Sequence, residues 1–378
     1  MTLKSRTARK SYPVLKDCLG AEAVHHIADS LSKVMPDFDR SVFIKQSLSK
    51  LPELELKARV YHLINTLHNH LPTDFRHATE ILVAVKQQQK IQPKPTITGF
   101  VAWPLIDYVA VYGLQHPKIA LHTLAELTSL FSAEFAIRPF IEQHYSLTYT
   151  HLQQWCRHPD HHIRRLVSEG TRPRLPWGEQ LPQFIKDPKP ILPLLEKLKT
   201  DPKDYVRRSV ANNLNDISKD HPQTVLATCK RWLKQPCQET QWIVRHATRT
   251  LVKKGMPEVF TLLGYTECPQ LRVTLSLQSH QLQLGENLEL QLKIISQAQQ
   301  PQKLVIDYAI HFMKTNGQQQ AKVFKLKSVT LAAGESLILN KIHRLVPLST
   351  RRYYSGQHKV EAKVNGLNKA DAEFKLKV

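Results

Sequence analysis

Cysteine is scarce in this chain of 378 residues. The five present, Cys18, Cys156, Cys229, Cys237 and Cys268, are odd in number, widely spread and nowhere in C-x-x-C spacing. A disulfide framework and a thiolate zinc site are excluded, and the thiols read as buried or incidental groups of a reducing compartment. His161 and His162 have no matched third ligand in the local sequence, so they read as polar surface and no metal is expected. No apolar run reaches the roughly eighteen residues of a membrane-spanning helix. The opening stretch MTLKSRTARKSYP is basic but lacks the apolar segment of a secretory signal. The expected compartment is the cytoplasm, and no membrane partner is expected.

Acidic residues are also in short supply, with 32 Asp and Glu against 53 Lys and Arg and a net charge of +21. Residues 271–378 hold 16 basic and 7 acidic residues, so the excess is shared by both ends of the chain. Such a balance suits a polyanionic partner, with nucleic acid ahead of an anionic membrane and of a soluble protein that is merely basic. Lys4, Arg6, Arg9 and Lys10 read either as a solvated tail, residues 1–18, or as a DNA-binding arm.

From residue 19 to about 267 the pattern is helical. In LELKARVYHLINTLHNHL the apolar Leu54, Leu56, Val60, Leu63, Ile64, Leu67 and Leu71 recur at steps of three and four. Prolines after Met35, Leu51, Leu71, Trp103, His116 and His158 punctuate a series of short helices. Three segments repeat: HIRRLVSEG at 162–170, YVRRSVANN at 205–213 and WIVRHATRT at 242–250, offset by 43 and 37 residues. Helix-pair repeats of the HEAT and armadillo class have such periods, and each unit needs neighbours to bury its apolar face. Ile163, Val206 and Ile243, with Val167, Val210 and Ala247 four residues on, are the expected inward positions. Arg165, Arg208 and Arg245 recur once per repeat, flanked by Arg164, Arg207, His246 and Arg249. They read as a ladder that tracks DNA phosphates, or as solvated and repeat-stacking arginines.

Near residue 268 the period changes to two, as in LRVTLSLQ, LELQLKI, LVIDYAIHF, KVFKLKSVTL, HKVEAKV and AEFKLKV. About seven strands, with turns at Leu284-Gly285, Thr315-Asn316-Gly317, Gly334 and Asn365-Gly366, suit an immunoglobulin-like sandwich over 268–378. Tyr353-Tyr354-Ser355-Gly356 is placed to hold a tyrosine corner. Lys322, Lys325 and Lys327 are expected on one face, either guarding an edge strand or touching DNA. The fold class is therefore multidomain, a HEAT-like α-helical repeat solenoid followed by a β-sandwich.

One stretch departs from the repeat pattern: Ser168-Glu169-Gly170-Thr171-Arg172-Pro173-Arg174-Leu175-Pro176-Trp177-Gly178. Two glycines, two prolines, Arg172, Arg174 and Trp177 make a shaped, basic, aromatic loop, more than a plain helix connection requires. The Pro-Trp-Gly setting of Trp177 favours a ring exposed enough to stack on a nucleotide over a core tryptophan.

This stretch resembles the signature of the AlkC family of bacterial alkylpurine DNA glycosylases. The resemblance covers essentially the whole chain, including Leu15-Lys16-Asp17, Leu54-Glu55-Leu56-Lys57-Ala58-Arg59 and Phe100-Val101-Ala102-Trp103-Pro104. The C-terminal part is similar to that of the subgroup with an immunoglobulin-like module. The resemblance implies hydrolysis of the N-glycosidic bond of 3-methyladenine, and for that subgroup of 3-methylcytosine, in duplex DNA, by a HEAT-like domain without metal or organic cofactor. It implies Glu134, Glu169 and Asp216 as active-site acids, Trp177 beside them, and Arg165 and Arg172 holding the backbone next to the lesion. Arg174, Arg208, Arg245 and Arg249 complete the expected DNA contacts of a monomer.

The chemistry suits those residue types. A base alkylated into a cation leaves without protonation, so a general acid is dispensable and carboxylates are needed only to stabilise an oxocarbenium-like sugar and aim water. From local sequence alone Glu134 reads equally as a first-turn acid after Ser132, and Asp216 as part of an Asn-rich helix end. Glu169, between a basic helix and the unusual loop, has the best local case. A non-enzymatic HEAT-repeat scaffold that binds nucleic acid is the alternative, and it has little use for acids converging in a basic groove.

Overall fold

The computed structural model describes residues 14–348 and 351–378. Lys4, Arg6, Arg9 and Lys10, read above as a tail or arm, lie outside the described residues. Among the described residues sixteen α-helices, from Ala21–Ser32 to Pro257–Leu262, precede eight strands. This is the expected order of a helical-repeat region and a β-sandwich.

Seven of these sixteen α-helices carry proline at one of their first two positions. Pro104, Pro117, Pro139, Pro182, Pro193, Pro222 and Pro257 all stand in first turns, where a missing N–H costs nothing and the fixed φ suits the helix. In the Leu56–His70 helix Val60, Leu63, Ile64 and Leu67 are all buried, as their spacing predicts. The repeat positions behave alike: Ile163, Val167, Val206, Val210, Ile243 and Ala247 are buried. Two flanking arginines brace the repeat. Arg164 makes a two-pronged contact with Asp201, at 2.5 and 3.0 Å, and Arg207 donates to the Asp201 carbonyl at 2.6 Å. For this pair repeat-stacking is the reading that holds.

The strands are β1 (Leu271–Leu277), β2 (Gln281–Gln283), β3 (Asn287–Ser296), β4 (Gln302–Met313), β5 (Gln319–Leu331), β6 (Ser336–Arg344), β7 (Gly356–Val364) and β8 (Leu367–Lys377). They form a three-stranded sheet, β1-β3-β6, and a five-stranded sheet, β2-β8-β7-β4-β5, with only β2 and β8 parallel. Leu288, Leu290, Tyr308, Ile310, Val360 and Phe374 build the core between them. Tyr353 is buried in the same core, its ring edge-on to Phe312. The lysine expectation fails. Lys322 lies opposite Ile310, which is in the core, whereas Lys325 lies opposite Asp307 on the other face, because three residues separate the two lysines and the period is two.

The chain divides into two compact units, Met1–Asp216 and Ile217–Val378. The switch from helix to strand falls later, between Leu262 and Leu271, so the last helices share a unit with the sandwich. Leu226, Leu251, Val259 and Phe260 pack with Val305 of β4. The tight turn between β7 and β8 locks this packing. Asn365 and Gly366 have φ of +47° and +79°, the type I′ pattern. Asn365 accepts from the Val305 N–H and donates from Nδ2 to the Thr266 carbonyl, each at 2.7 Å. A Cβ on Gly366 would stand 2.6 Å from the Gly255 Cα and 2.7 Å from the Phe260 ring. Gly366→Ala is therefore predicted to destabilise the 217–378 unit by about 1–3 kcal/mol, from left-handed strain plus overpacking. Urea unfolding, followed by protease sensitivity within 217–267, checks this. An unchanged midpoint would show that the junction yields easily.

Candidate active site: a chain of acids and arginines

The His161–Gly170 helix carries the centre of the site. The Asp160 carboxylate caps it, accepting from the His162 N–H at 2.8 Å. Ile163, Leu166, Val167 and Gly170 are buried, and Gly170 is required where it stands, since a Cβ there would meet Ile137 at 2.6 Å. The opposite side of the helix presents Arg165, and Glu169 follows one turn later.

Five charged side chains then alternate. Arg165 donates through Nη1 to Glu134 Oε2 at 2.7 Å and to Ser132 Oγ at 2.6 Å, and its Nη2 lies 3.6 Å from Glu169 Oε1. The same Glu169 oxygen accepts from Arg172 Nη1 at 2.7 Å, and Arg172 Nε donates to Asp216 Oδ2 at 2.7 Å. Ser209 Oγ completes Glu169, donating to Oε2 at 2.6 Å. Three carboxylates and two guanidinium groups are thus linked inside a strongly basic protein. Burial alone would lower the arginine pKa values, but Glu169 with Glu134 raises Arg165, and Glu169 with Asp216 raises Arg172. Both arginines stay charged.

The sequence reading brought Glu134, Glu169 and Asp216 forward, and the structure joins all three through Arg165 and Arg172. The two arginines are thus committed to carboxylates. Glu134 is the most accessible acid, with 15% of its side chain exposed against 6% for Glu169 and 2% for Asp216. Its Oε1 accepts no hydrogen bond among the described residues, whereas both oxygens of Glu169 are occupied.

Several neighbours were not singled out from sequence. Tyr205 stacks on Arg165 with 4.5 Å between guanidinium carbon and ring centre, a cation–π contact. It occupies the repeat position of His162 and Trp242, where an aromatic recurs. Ser209 stands where the preceding repeat has the buried Leu166, so a polar residue at an apolar repeat position was the available signal. Asn213 donates to the Ser168 carbonyl and to Thr171 Oγ1, fixing the end of the helix. Arg138 is buried and holds the Gly170 carbonyl at 2.9 Å, while its Nε and Nη2 have no hydrogen-bond partner among the described residues. Burial lowers its pKa to about 10 against the pull of Glu142.

The loop beyond Arg172 folds on itself, with Leu181 N–H donating to the Pro173 carbonyl at 3.1 Å. Trp177 has φ of +66°, a left-handed conformation that costs a non-glycine residue about 1–3 kcal/mol. Lys57, far away in sequence, holds its carbonyl at 2.6 Å. The ring is 56% exposed, the condition for stacking on a nucleotide.

The remaining arginines of the ladder part company. Arg208 is exposed and pairs with Asp204 at 2.7 Å, one turn back on its own helix. Arg245 is exposed, Arg249 donates to the His246 carbonyl at 2.7 Å, and Arg174 reaches Gln180 at 3.4 Å. The two histidines do acquire a potential third ligand, since Asp160, His161 and His162 bring one ligand atom each within 4.8 Å. The Asp160 carboxylate, however, already serves as the helix cap.

Helical repeats joined to a β-sandwich, with an acid–arginine chain on the repeats, define a HEAT-like repeat protein with a C-terminal immunoglobulin-like domain. Residues 272–378 match the family described as the C-terminal Ig-like domain of the uncharacterised protein YhaZ. The uncharacterized protein YhaZ of Bacillus subtilis (strain 168) is 36% identical over 358 residues, which span 94% of this chain and 96% of that protein. The Pseudomonas fluorescens alkylpurine DNA glycosylase AlkC, solved bound to DNA containing an abasic-site analog, is similar over 97% of this chain and 100% of that one. Its identity is 38% and its TM-score 0.91. The chain belongs to the AlkC family of alkylpurine DNA glycosylases, in the subgroup that carries the C-terminal Ig-like domain.

Because Arg172 bridges two buried acids, Arg172→Gln should cost about 3–5 kcal/mol, the penalty for removing one partner of a buried ion pair. Acidification tests the origin of that loss: protonating the carboxylates that Arg172 had paired should recover part of the deficit relative to wild type. A deficit that is constant from neutral to acidic pH would assign Arg172 a packing role instead.

Proposed function

We propose that the protein is a DNA glycosylase that hydrolyses the N-glycosidic bond of cationic alkylated bases, 3-methyladenine and 3-methylcytosine, in duplex DNA. One observation carries this reading: three carboxylates are held together by two arginines on a basic helical-repeat scaffold. A scaffold that only binds phosphates gains nothing from acids there, and their repulsion would weaken it. A reaction whose transition state is a cationic sugar gains directly.

In this reading the lesion base, already positive, departs without a general acid, and the positive charge passes to the deoxyribose. The carboxylates stabilise that charge without reorganising, because Arg165, Arg172 and Ser209 have already fixed them. Glu134, with a free oxygen and the greatest exposure, aims the water and takes its proton as the new C–O bond forms. Glu169 and Asp216 supply the field. Trp177 stacks against the nucleotide strand, and Arg208, Arg245, Arg174 and Arg249 contribute to phosphate contacts. No metal or organic cofactor enters these steps, and the acids that perform them lie in the helical region, 19–267.

Single-turnover release of 3-methyladenine from duplex DNA tests the assignment. Glu134→Gln should lower the rate by about 10²–10³ with little change in melting temperature. Glu169→Gln should lose a comparable rate and stability as well, since it breaks a buried ion pair. Both should keep affinity for undamaged duplex. Normal rates in the folded Gln variants, or no base release by the wild type, would sink this mechanism.

A further inference from the structure

Phe135, the neighbour of Glu134, lines a cleft of about 180 Å³ whose lining includes none of the three acids of the proposed reaction. Its wall is aromatic. Trp103 and Phe135 stack with centres 5.4 Å apart, and Tyr61 and Trp177, each more than half exposed, line it with them. One acid enters this wall. The Asp107 Oδ2 accepts from Trp103 Nε1 at 2.7 Å, its one hydrogen bond among the described residues. Lys57 also lines the cleft, but its Nζ is engaged by the Trp177 carbonyl.

Asp107 is costly where it stands. Burial raises its pKa to about 7, against the weaker effects of the Trp103 hydrogen bond and the Lys57 charge. A partly buried carboxyl with no ion pair among the described residues weakens a fold, and such exceptions concentrate at functional sites. Near neutrality it offers one O–H donor and one acceptor oxygen. That pair matches a ring nitrogen beside an amino group, the edge of an adenine-type base. The volume is below the roughly 300–1,000 Å³ of drug-sized sites, which suits one heterocycle without sugar or phosphate.

We propose that this cleft is a subsite for the excised base, in which a free alkylated purine stacks on the Tyr61 and Trp177 rings and hydrogen-bonds to the Asp107 carboxyl. The inference rests on the glycosylase reading. It adds a place for the leaving base, separate from the acids that act on the sugar.

The test titrates the full-length protein with free 3-methyladenine, following heat and tryptophan fluorescence. Saturable one-to-one binding is expected, weakened tenfold or more by Asp107→Asn and severalfold by Tyr61→Ala, which alters only an exposed ring. 1-Methylindole, planar but without the donor–acceptor edge, should not distinguish wild type from Asp107→Asn. No saturable binding up to about 1 mM, or equal affinity in both variants, overturns the proposal. Stability supplies a second readout. The folded protein keeps the Asp107 proton to about pH 7, whereas the unfolded chain releases it near pH 3.9. The stability contributed by this group is full below the lower value and lost as pH rises through the upper. Lys57 and Glu179, the other charged groups in the cleft, are unchanged in the variant, so Asp107→Asn should melt higher near pH 8 and much like wild type near pH 4. Melting equal to wild type near pH 8 would remove the cost argument and with it the proposal. Glu169→Gln should bind the free base normally while excision is lost. Excision without base binding sinks only the cleft, and base binding without excision sinks the glycosylase reading.

Discussion

The alternation Glu134–Arg165–Glu169–Arg172–Asp216 is the interaction on which the rest of the molecule depends. Three carboxylates drawn this close would repel one another, and each would resist leaving water. Two guanidinium groups, planar and rich in donors, make the grouping tolerable. That solution needs exact placement, which loops alone do not give. Four of the five charges therefore stand on helices or at their ends, and Arg138, Asn213 and Thr171 pin the turn where the His161–Gly170 helix passes into the loop.

The helical and strand periods, the three repeats and the Asn365-Gly366 turn were legible because burial imposes them locally: apolar side chains must share a face, and a type I′ turn needs two positive φ angles. Glu169 was legible from the unusual loop beside it, whereas Glu134 and Asp216 were legible only through the resemblance. Local sequence cannot distinguish Glu134 from a first-turn acid, since what makes it a site is Arg165, 31 residues away in sequence. The arginine ladder shows the same limit. Arg165 and Arg208 occupy equivalent positions in HIRR and YVRR, yet one meets Glu134 and Glu169 while the other finds Asp204 on its own helix. Repeat equivalence fixes where a side chain starts, and the neighbouring repeat decides what it reaches. Lys322 and Lys325 show a simpler case, since counting in twos puts them on opposite faces.

Strain and cost gather around one loop. Trp177 is left-handed without being glycine, and among the described residues the partly buried Asp107 has no ion pair and two nitrogens of Arg138 have no hydrogen-bond partner. Each would be removed by selection for stability alone. Their neighbourhood to the acid–arginine chain, through Gly170 and Phe135, indicates that the whole segment from Phe131 to Glu179 is built for shape at the expense of folding energy.

The Asn365-Gly366 turn also bears on inheritance. Its contacts with Gly255, Phe260 and Thr266 weld the β-sandwich to the helices that precede it. A recombination event that cut at the helix-to-strand boundary would deliver strands with a naked docking turn and helices with an uncovered apolar face. The transferable cassette begins near Ile217 instead. Relatives that gained or lost this module intact are expected to have exchanged the final helices with it, so phylogenies of residues 217–267 should follow those of the sandwich more closely than those of the first 216 residues.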